Sequence, residues 1–129
     1  MKLSPSDKSK YHSKKVTRNG ITYDSKKEAK RHSELLLLEK AGVISELERQ
    51  VKFTLLPAHY ETYERYGKGG KRLTDGHRCV ERAVFYVADF TYKQDGELIV
   101  EDVKGIRTKE YILKRKMMYH FHGIRIKEV

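Results

Sequence analysis

The sequence has almost no cysteine and no long apolar run, and both absences narrow the class of protein. Cys79 is the only cysteine, so no internal disulfide can form and no zinc site built on several cysteines can close. The longest apolar stretch, residues 35–38, is far shorter than the roughly 20 residues that span a membrane. The basic N-terminus has no apolar segment behind it, unlike a secretory signal. We therefore expect a cytoplasmic protein with no membrane partner.

Acidic residues are also scarce relative to basic ones. The chain carries 28 Lys and Arg against 18 Asp and Glu, a formal net charge of +10. A surplus of this size indicates a polyanionic partner, and nucleic acid is the commonest one because each neutralised phosphate releases condensed counterions. The length of 129 residues fits one domain with one core.

The first third of the chain carries clear local signals. Residues 1–15 are rich in Lys and Ser and are predicted to form a mobile basic tail, followed by a single domain over residues 16–129. Asn19-Gly20 lies between β-forming residues, which is typical of a tight hairpin over residues 16–23. Ser25 and Glu28 have capping-box spacing, and they predict a helix that runs to about Ala41 before Gly42.

The remainder alternates between strand and helix patterns. Strands are predicted over residues 46–56, 83–93 and 97–104, with a turn at residues 94–96. Residues 58–81 are polar and rich in Tyr and Gly, and they predict either a partly mobile insertion or an extended hairpin arm. A second helix over residues 109–121 and a short strand over residues 124–129 complete the order. This order predicts an α/β (α+β) fold, a small mixed sheet with helices packed on it.

The turn between the second and third predicted strands sets a register that brings three charged residues together. If Asp95-Gly96 is a two-residue turn, Gln94 pairs with Glu97, and counting back places Asp89 opposite Asp102. Lys104 lies two residues after Asp102 and so projects from the same face, whereas Glu101 points to the other face. A longer loop or a bulge would shift this register.

Two facing carboxylates repel each other unless something neutralises them. A divalent cation does so, and oxygen ligands on a partly hydrated site suit Mg²⁺ or Mn²⁺. A neighbouring Lys104 would orient water and stabilise charge that develops at phosphorus, so the set suits phosphodiester hydrolysis. The competing interpretation places Asp89 and Asp102 on a solvated face, with Lys104 as a surface ion-pair partner.

Asp89 followed by Asp102-Val103-Lys104 resembles the PD-(D/E)XK motif of restriction-type nucleases. The resemblance implies a restriction-endonuclease-like core with the order helix, three strands, helix, strand. It implies that Asp89, Asp102, Glu28 and the backbone carbonyl of Val103 bind the metal ion and that Lys104 assists the attacking water. Gln50, in the first core strand, is a candidate supporting residue by analogy with resolvase-type nucleases.

Residues 22–56 and 86–105 also resemble a family of small phage and prophage proteins of unassigned function. The similar segments are Tyr23-Asp24-Ser25-Lys26-Lys27-Glu28-Ala29, Ala88-Asp89-Phe90 and Glu101-Asp102-Val103-Lys104-Gly105. Ala88 stands where the motif's name has Pro, a position that varies within the superfamily. The resemblance implies a bacterial host cell and a role in phage DNA metabolism.

Two helical residues have interpretations that compete with a role in the site. Glu28 fits as the capping-box partner of Ser25, which would explain it without any chemistry. His32 lies one turn further along the same helix face, and a hydrogen-bonded surface histidine is the expected role.

Two sets of basic residues are candidate DNA contacts. The second helix and its approach carry one set, which can follow a phosphate backbone. The other set lies among the tyrosines of residues 58–81, where Tyr and Arg suit a DNA-gripping arm and a protein interface equally. The candidates are Arg107, Lys109, Lys114, Arg115 and Lys116 in the first set, and Lys68, Lys71 and Arg72 in the second.

We therefore predict an Mg²⁺-dependent DNA endonuclease. A branched substrate such as a Holliday junction ranks first by analogy, and symmetric cutting of two strands implies a homodimer. The main alternative is a non-catalytic nucleic-acid-binding module with the same fold. A protein-interaction adaptor, whose partner binding would be insensitive to salt, is the third interpretation.

Overall fold

The computed structural model describes residues 14–129, which form a mixed α+β domain. Residues 1–13 of the predicted basic tail lie outside the described residues. Within the described part of the chain, no helix is long and apolar enough to cross a membrane.

The chain enters the domain through the predicted hairpin. Strand β1 (Val16–Arg18) pairs with β2 (Ile21–Tyr23) in antiparallel register. Asn19 and Gly20 have φ values of 51° and 78°, the positive angles that a tight two-residue turn requires. The hairpin prediction is confirmed.

Helix α1 (Lys26–Lys40) follows at once. The Ser25 side chain accepts a hydrogen bond from the Glu28 backbone N–H at 3.1 Å, which satisfies one of the free donors of the first turn. Gly42, with φ of 80°, ends the helix as predicted. The buried face of α1 consists of Glu28, Ala29, His32 and Leu35.

After α1 the chain forms a long strand that continues into an extended hairpin. Strand β3 (Ser45–Leu56) leads through Pro57 into β4 (His59–Tyr66), and a 3₁₀ turn (Lys68–Gly70) reverses the chain into β5 (Arg72–Glu81). Strands β4 and β5 pair with each other in a separate two-stranded sheet. We refer to residues 59–81 as the arm. Of the two alternatives predicted for this region, the hairpin arm is the one observed.

The central sheet has four strands. After the arm, β6 (Val84–Gln94) pairs antiparallel with β3 and with β7 (Glu97–Asp102). Helix α2 (Lys109–His122) ends at Gly123, whose φ is 68°, and β8 (Lys127–Glu128) returns parallel to β7. The sheet order is β3-β6-β7-β8.

Each helix covers its own apolar cluster on the central sheet. Tyr111 and Met118 of α2 pack with Leu55, Tyr86, Ala88 and Val100, while Leu35 of α1 packs with Ile44, Phe90 and Tyr92. The carboxyl end of β7 and the middle of β6 therefore lie between the two helices. Ala88 and Val100 are buried, whereas Val87 is exposed.

Several sequence-based boundaries differ from the structure by one or more residues. Strand β7 ends at Asp102 rather than at residue 104, because the Asp89 side chain accepts the Val103 backbone N–H at 2.8 Å where a strand partner would otherwise stand. The last strand is Lys127–Glu128 rather than residues 124–129. Helix α2 ends one residue later than predicted, at His122.

A candidate active site between the two helices

An open cleft of about 740 Å³ lies where α1, the central sheet and the start of α2 meet. Its lining is strongly polar. The side chains that line it include Glu28, Gln50, Tyr86, Asp89, Asp102, Lys104 and Tyr111. Most of them come from strands or helix turns, which fix them more firmly than a loop would.

Asp89 and Asp102 are the centre of the cleft. The hairpin turn has the predicted two residues, and the observed pairs Gln94↔Glu97 and Phe90↔Glu101 make Asp89 and Asp102 the next positions in the same register. Asp102 is only 4% exposed and accepts a hydrogen bond from the Tyr86 hydroxyl at 2.5 Å. The predicted adjacency of the two acids is confirmed.

The electrostatics of this pair are unusual for aspartates. Burial, and then the negative charge of Asp102, raise the pKa of Asp89 to about 8. The Val103 backbone N–H opposes that shift by donating to the Asp89 carboxylate. At neutral pH one proton therefore remains on this pair unless a cation takes its place. Burial and the hydrogen bond to Asp102 also raise the pKa of the Tyr86 hydroxyl, so Tyr86 remains a donor.

Lys104 supplies a positive charge on the same side as Asp102. Its ammonium group lies 3.0 Å from the Asp102 carboxylate and 3.9 Å from the centre of the Tyr111 ring. The backbone around it is anchored as well: the Lys104 N–H donates to the Val129 carbonyl at 3.2 Å. The predicted grouping of Lys104 with the two acids is therefore observed, although Lys104 lies beyond the end of the strand.

Glu101 points away from the cleft, as the pleat predicts. It is fully buried and accepts two hydrogen bonds from Arg31 of α1, at 2.8 and 2.6 Å, and a third from the Tyr92 hydroxyl. Burial alone would raise the pKa of Glu101, but the hydrogen bonds from Arg31 and Tyr92 hold that pKa below its ordinary value. The hydrogen bonds between Arg31 and Glu101 join α1 to β7, on the face of the strand opposite to the Asp102 side chain.

Glu28 fills only half of the capping-box role that the sequence predicts. Its backbone N–H is capped by Ser25, yet its side chain does not complete the capping box. The buried carboxylate instead accepts a hydrogen bond from Gln50 at 3.3 Å and lies 3.6 Å from Arg49. Burial, followed by the charge of Asp24, raises the pKa of Glu28.

Glu28 is near the aspartate pair without joining it in a single cluster. Its charge contributes to the raised pKa of Asp89. Across residues 14–129, however, no group of three or more His, Cys, Asp or Glu side chains converges closely enough to hold a metal ion by itself. The site therefore contains two adjacent carboxylates. The third carboxylate, that of Glu28, lies nearby and contacts Gln50 and Arg49 instead.

Gln50 lies next to the site on the neighbouring strand. The pairs Arg49↔Phe90 and Val51↔Ala88 leave Gln50 and Asp89 as the intervening positions on β3 and β6. Gln50 has a φ of 52°, a left-handed conformation that is uncommon for a non-glycine residue and is often found at functional sites. Its amide reaches Glu28 rather than either aspartate.

His32 corrects an expectation. It is buried, at 6% exposed, rather than a surface histidine. Its ring stacks on Phe90 at 5.4 Å, and its Nδ1 is 2.5 Å from the Tyr23 hydroxyl. Burial, and then the charge of Arg49, lower the pKa of His32. The side chain is thus hydrogen-bonded, as expected, but its role is to pack α1 onto the sheet.

The basic candidates on α2 and just before it differ in whether they pair with an acidic residue. Arg107 and Arg115 both pair with Glu128, at 2.7 and 3.4 Å. Lys114 lines the cleft and pairs with Glu110 at 3.2 Å. Lys109 and Lys116 are exposed. Lys68, Lys71 and Arg72 lie at the turn of the arm, far from this group in the chain.

Sequence reasoning missed the aromatic residues and the arginine that support the acids. Tyr86 and Tyr111 look like core residues in the sequence. The contact of Tyr86 with Asp102 joins β6 to β7, and the contact of Tyr111 with Lys104 depends on the packing of α2. Arg31 is one of many basic residues on α1, and its partner Glu101 is 70 residues away. No local signal identifies such contacts.

The site and fold together define a mixed α+β domain with a carboxylate-lined cleft between two helices. The chain belongs to the family described as "Protein of unknown function (DUF1064)", which matches residues 8–129. No curated protein and no solved structure matches the chain.

Proposed function

We propose that the chain is an Mg²⁺-dependent DNA endonuclease whose active site contains Asp89, Asp102 and Lys104. The observation that carries this proposal is the buried contact between the two aspartates, which raises the pKa of Asp89 to about 8 in a protein of net charge +10. Perturbed carboxyls in a cleft are typical of functional sites rather than of a solvated surface.

The donor set fits a small divalent cation. Two adjacent carboxylates that share a proton offer oxygen ligands and an unfavourable charge for a cation to neutralise. Asp89 and Asp102 would hold the ion together with the Val103 carbonyl, and Glu28 would join them, directly or through water, after releasing Gln50. When bound, Mg²⁺ or Mn²⁺ supplies charge neutralisation at a phosphate oxygen and lowers the pKa of bound water.

The protein's own groups supply the rest of the chemistry. In hydrolysis, a water oxygen bonds to phosphorus, one phosphorus–oxygen ester bond breaks, and the departing oxygen gains a proton. The Lys104 ammonium is placed by Asp102 and by the Tyr111 ring, where it orients water and stabilises negative charge on the phosphate. Tyr86 keeps Asp102 turned into the cleft through its hydroxyl.

The proposal extends to the fold. From α1 onward the core order, leaving the arm aside, is helix, three strands, helix, strand. This is the order implied by the PD-(D/E)XK resemblance, and it supports a restriction-endonuclease-like core. DNA is the proposed partner because of the net charge and the exposed Lys109 and Lys116. We propose that the substrate is branched DNA and that a homodimer cuts its two strands symmetrically.

The test is cleavage of supercoiled plasmid and branched DNA with Mg²⁺ or Mn²⁺. Wild-type protein is expected to cut, and Asp102→Asn is expected to lose about 10³-fold or more in rate while it still binds DNA. Asp95→Asn is the matched control, because it makes the same change at the exposed turn of the same hairpin. Equal activity in the two variants, or no metal-dependent cleavage by wild type, would contradict the proposal.

One observation favours the second candidate, a non-catalytic nucleic-acid-binding module. Lys104 already neutralises Asp102 within the protein, and Tyr86 satisfies its second oxygen. In that case Asp102→Asn would leave DNA binding unchanged, and wild-type protein would cut no DNA with either metal ion. A rise in melting temperature on adding Mn²⁺, present in wild type and absent in Asp102→Asn, would argue against the module.

A further inference from the structure

The arm is the part of the molecule that the proposed active site does not use. Within residues 14–129, β4 and β5 pair only with each other. Every residue of β4 is exposed, and Gly76 is the one buried residue of β5. A two-stranded ribbon without a core is marginal by itself, so the exposed side chains of the arm require an explanation.

Local contacts hold the arm in shape. The Tyr63 ring lies across Gly76, where any Cβ would overlap it. Arg78 lies 5.8 Å from the Tyr63 ring and 3.5 Å from Glu61, and Arg72 lies 5.8 Å from the Tyr66 ring. The arm is therefore an ordered ribbon that buries almost nothing against the domain.

The end of the arm is strongly basic. Arg65, Lys68, Lys71 and Arg72 are exposed and surround the 3₁₀ turn. Among the residues that the structure describes, only Arg72 of these four has an acidic partner, Asp75 at 2.6 Å. Glu64, the nearest acid along the chain, accepts a hydrogen bond from the Tyr66 hydroxyl and pairs with none of these cations. A polyanion would supply the negative charge that Arg65, Lys68 and Lys71 lack.

Exposed tyrosines lie along the arm. Tyr66, 58% exposed, pairs with Arg72 beside the turn, and Tyr60, 61% exposed, lies at the other end of the arm opposite Cys79. Tyr side chains beside Lys and Arg suit nucleic acid, because all three residue types hydrogen-bond to the phosphates of a duplex. Tyr and Arg also occur at protein interfaces, but a second copy of this chain would bring the same unpaired cations to the contact. Charge complementarity therefore favours nucleic acid.

We propose that the arm binds the flank of the nucleic acid, away from the cleft, through Arg65, Lys68 and Lys71. This inference rests on the proposed nucleic-acid substrate. The arm is continuous with β3 and β6, so its position along the DNA can be bounded. At about 3.3 Å per residue, the chain from Arg72 to Asp89 spans at most about 55 Å. With a rise of about 3.4 Å per base pair, the tip contacts DNA no more than about 16 base pairs from the cleft.

The experiment measures binding in chelator, where no cleavage occurs, to fluorescent duplexes of increasing flank length. The variant is Lys68→Gln/Lys71→Gln. Its matched control is Lys30→Gln/Lys40→Gln, which removes the same charge from exposed positions of α1. We expect the tip variant to lose affinity about tenfold at 0.1 M salt and to reduce the salt slope of binding by about 2. The control should bind like wild type.

Flank length provides the second readout. Wild-type affinity should increase with flank length until the tip is reached, and this increase should be absent in the tip variant. Equal losses in the tip and control variants would overturn the inference, since they would indicate only a general charge effect. Unchanged DNA binding with an altered oligomeric state in sedimentation would also overturn it, because the arm would then be a protein interface.

Failure of this inference can be distinguished from failure of the proposed function. If wild-type protein cuts DNA but the tip variant binds like wild type, the arm proposal alone is wrong. If binding depends on the tip but no metal-dependent cleavage occurs, the endonuclease proposal is wrong and the arm remains a nucleic-acid-binding element.

Discussion

Two strands of the central sheet continue directly into the two strands of the arm, yet the two regions differ in burial and in charge. Strands β3 and β6 form one antiparallel ribbon, and β4 and β5 continue it beyond Pro57. In the central ribbon Tyr86, Ala88, Phe90 and Tyr92 of β6 are buried under helices. In the arm the same kind of backbone pairing carries exposed tyrosines and basic residues.

The difference shows that backbone pairing alone does not decide where chemistry can occur. Among the residues that the structure describes, the buried carboxylates Glu28, Glu101 and Asp102 lie on the central sheet or on α1, which packs against it, and burial there raises the pKa of Asp89 and of Glu28. Charges on the arm remain solvated and suit recognition over a large area. We therefore assign catalysis to the central region and nucleic-acid binding to the arm.

The largest expected effect on stability is the loss of the ion pair behind the site. Arg31→Met leaves the fully buried Glu101 carboxylate without its bidentate partner. We expect a decrease of about 3–5 kcal/mol in the free energy of unfolding, measured by urea denaturation. The comparison variant is Arg72→Met on the arm, whose pair with Asp75 is about half exposed, and it should cost at most about 1 kcal/mol. Similar costs at the two positions would refute the contrast.

Lys104→Ala tests whether the central region carries the catalytic step. Under the proposed function, the single-turnover cleavage rate at saturating protein should fall about 10²–10³-fold, because a positive charge near the phosphate is lost. The control is Lys40→Ala at the exposed end of α1. If Lys104→Ala cut DNA at a rate within twofold of wild type, Lys104 would have no role beyond its ion pair with Asp102.

The aspartate pair should make stability depend on pH in a defined direction. The pKa of Asp89 is raised from an ordinary 3.8 to about 8, so the folded state holds a proton that the unfolded state releases. Stability from this group is complete below about pH 4 and is lost as the pH rises through about 8. In chelator, wild-type protein should therefore have a lower urea midpoint at pH 8 than at pH 5.

Asp89→Asn removes the titrating group but retains an acceptor for the Val103 N–H. Its urea midpoint should change less between pH 5 and pH 8 than that of wild type, and Asp95→Asn should behave like wild type. Under the proposed function, Mg²⁺ should restore stability at pH 8 in wild type by binding the ionised pair. Identical pH profiles for wild type and Asp89→Asn would show that Asp89 does not hold the proton.

The parts of the site that the sequence predicts are those fixed by short-range geometry. Asp95-Gly96 has the positive φ values of a two-residue turn, and that turn sets the register that brings Asp89 to Asp102. The cap at Ser25 and the stop at Gly42 similarly depend on neighbouring residues. The metal ion, the DNA substrate and the catalytic roles remain predictions.

The parts that the sequence does not predict depend on how distant elements pack. The burial of His32 follows from its stacking on Phe90, 58 positions along the chain. The end of β7 depends on the Asp89 side chain, which takes the Val103 N–H. The arm has no apolar periodicity on either face, so the sequence could not decide between a ribbon and a loop.

The smallest expected effect concerns the shape of the arm. Gly76→Ala places a Cβ into the Tyr63 ring and should displace it, whereas Gly67→Ala meets only the flexible end of Leu73, at 3.4 Å. Because the arm packs so little against the domain, Gly76→Ala should change the urea midpoint of the central fold little, while it weakens DNA binding severalfold through the displaced ribbon. Gly67→Ala should bind DNA like wild type. Cooperative loss of the whole fold in Gly76→Ala would mean that the arm and the central sheet form a single stability unit.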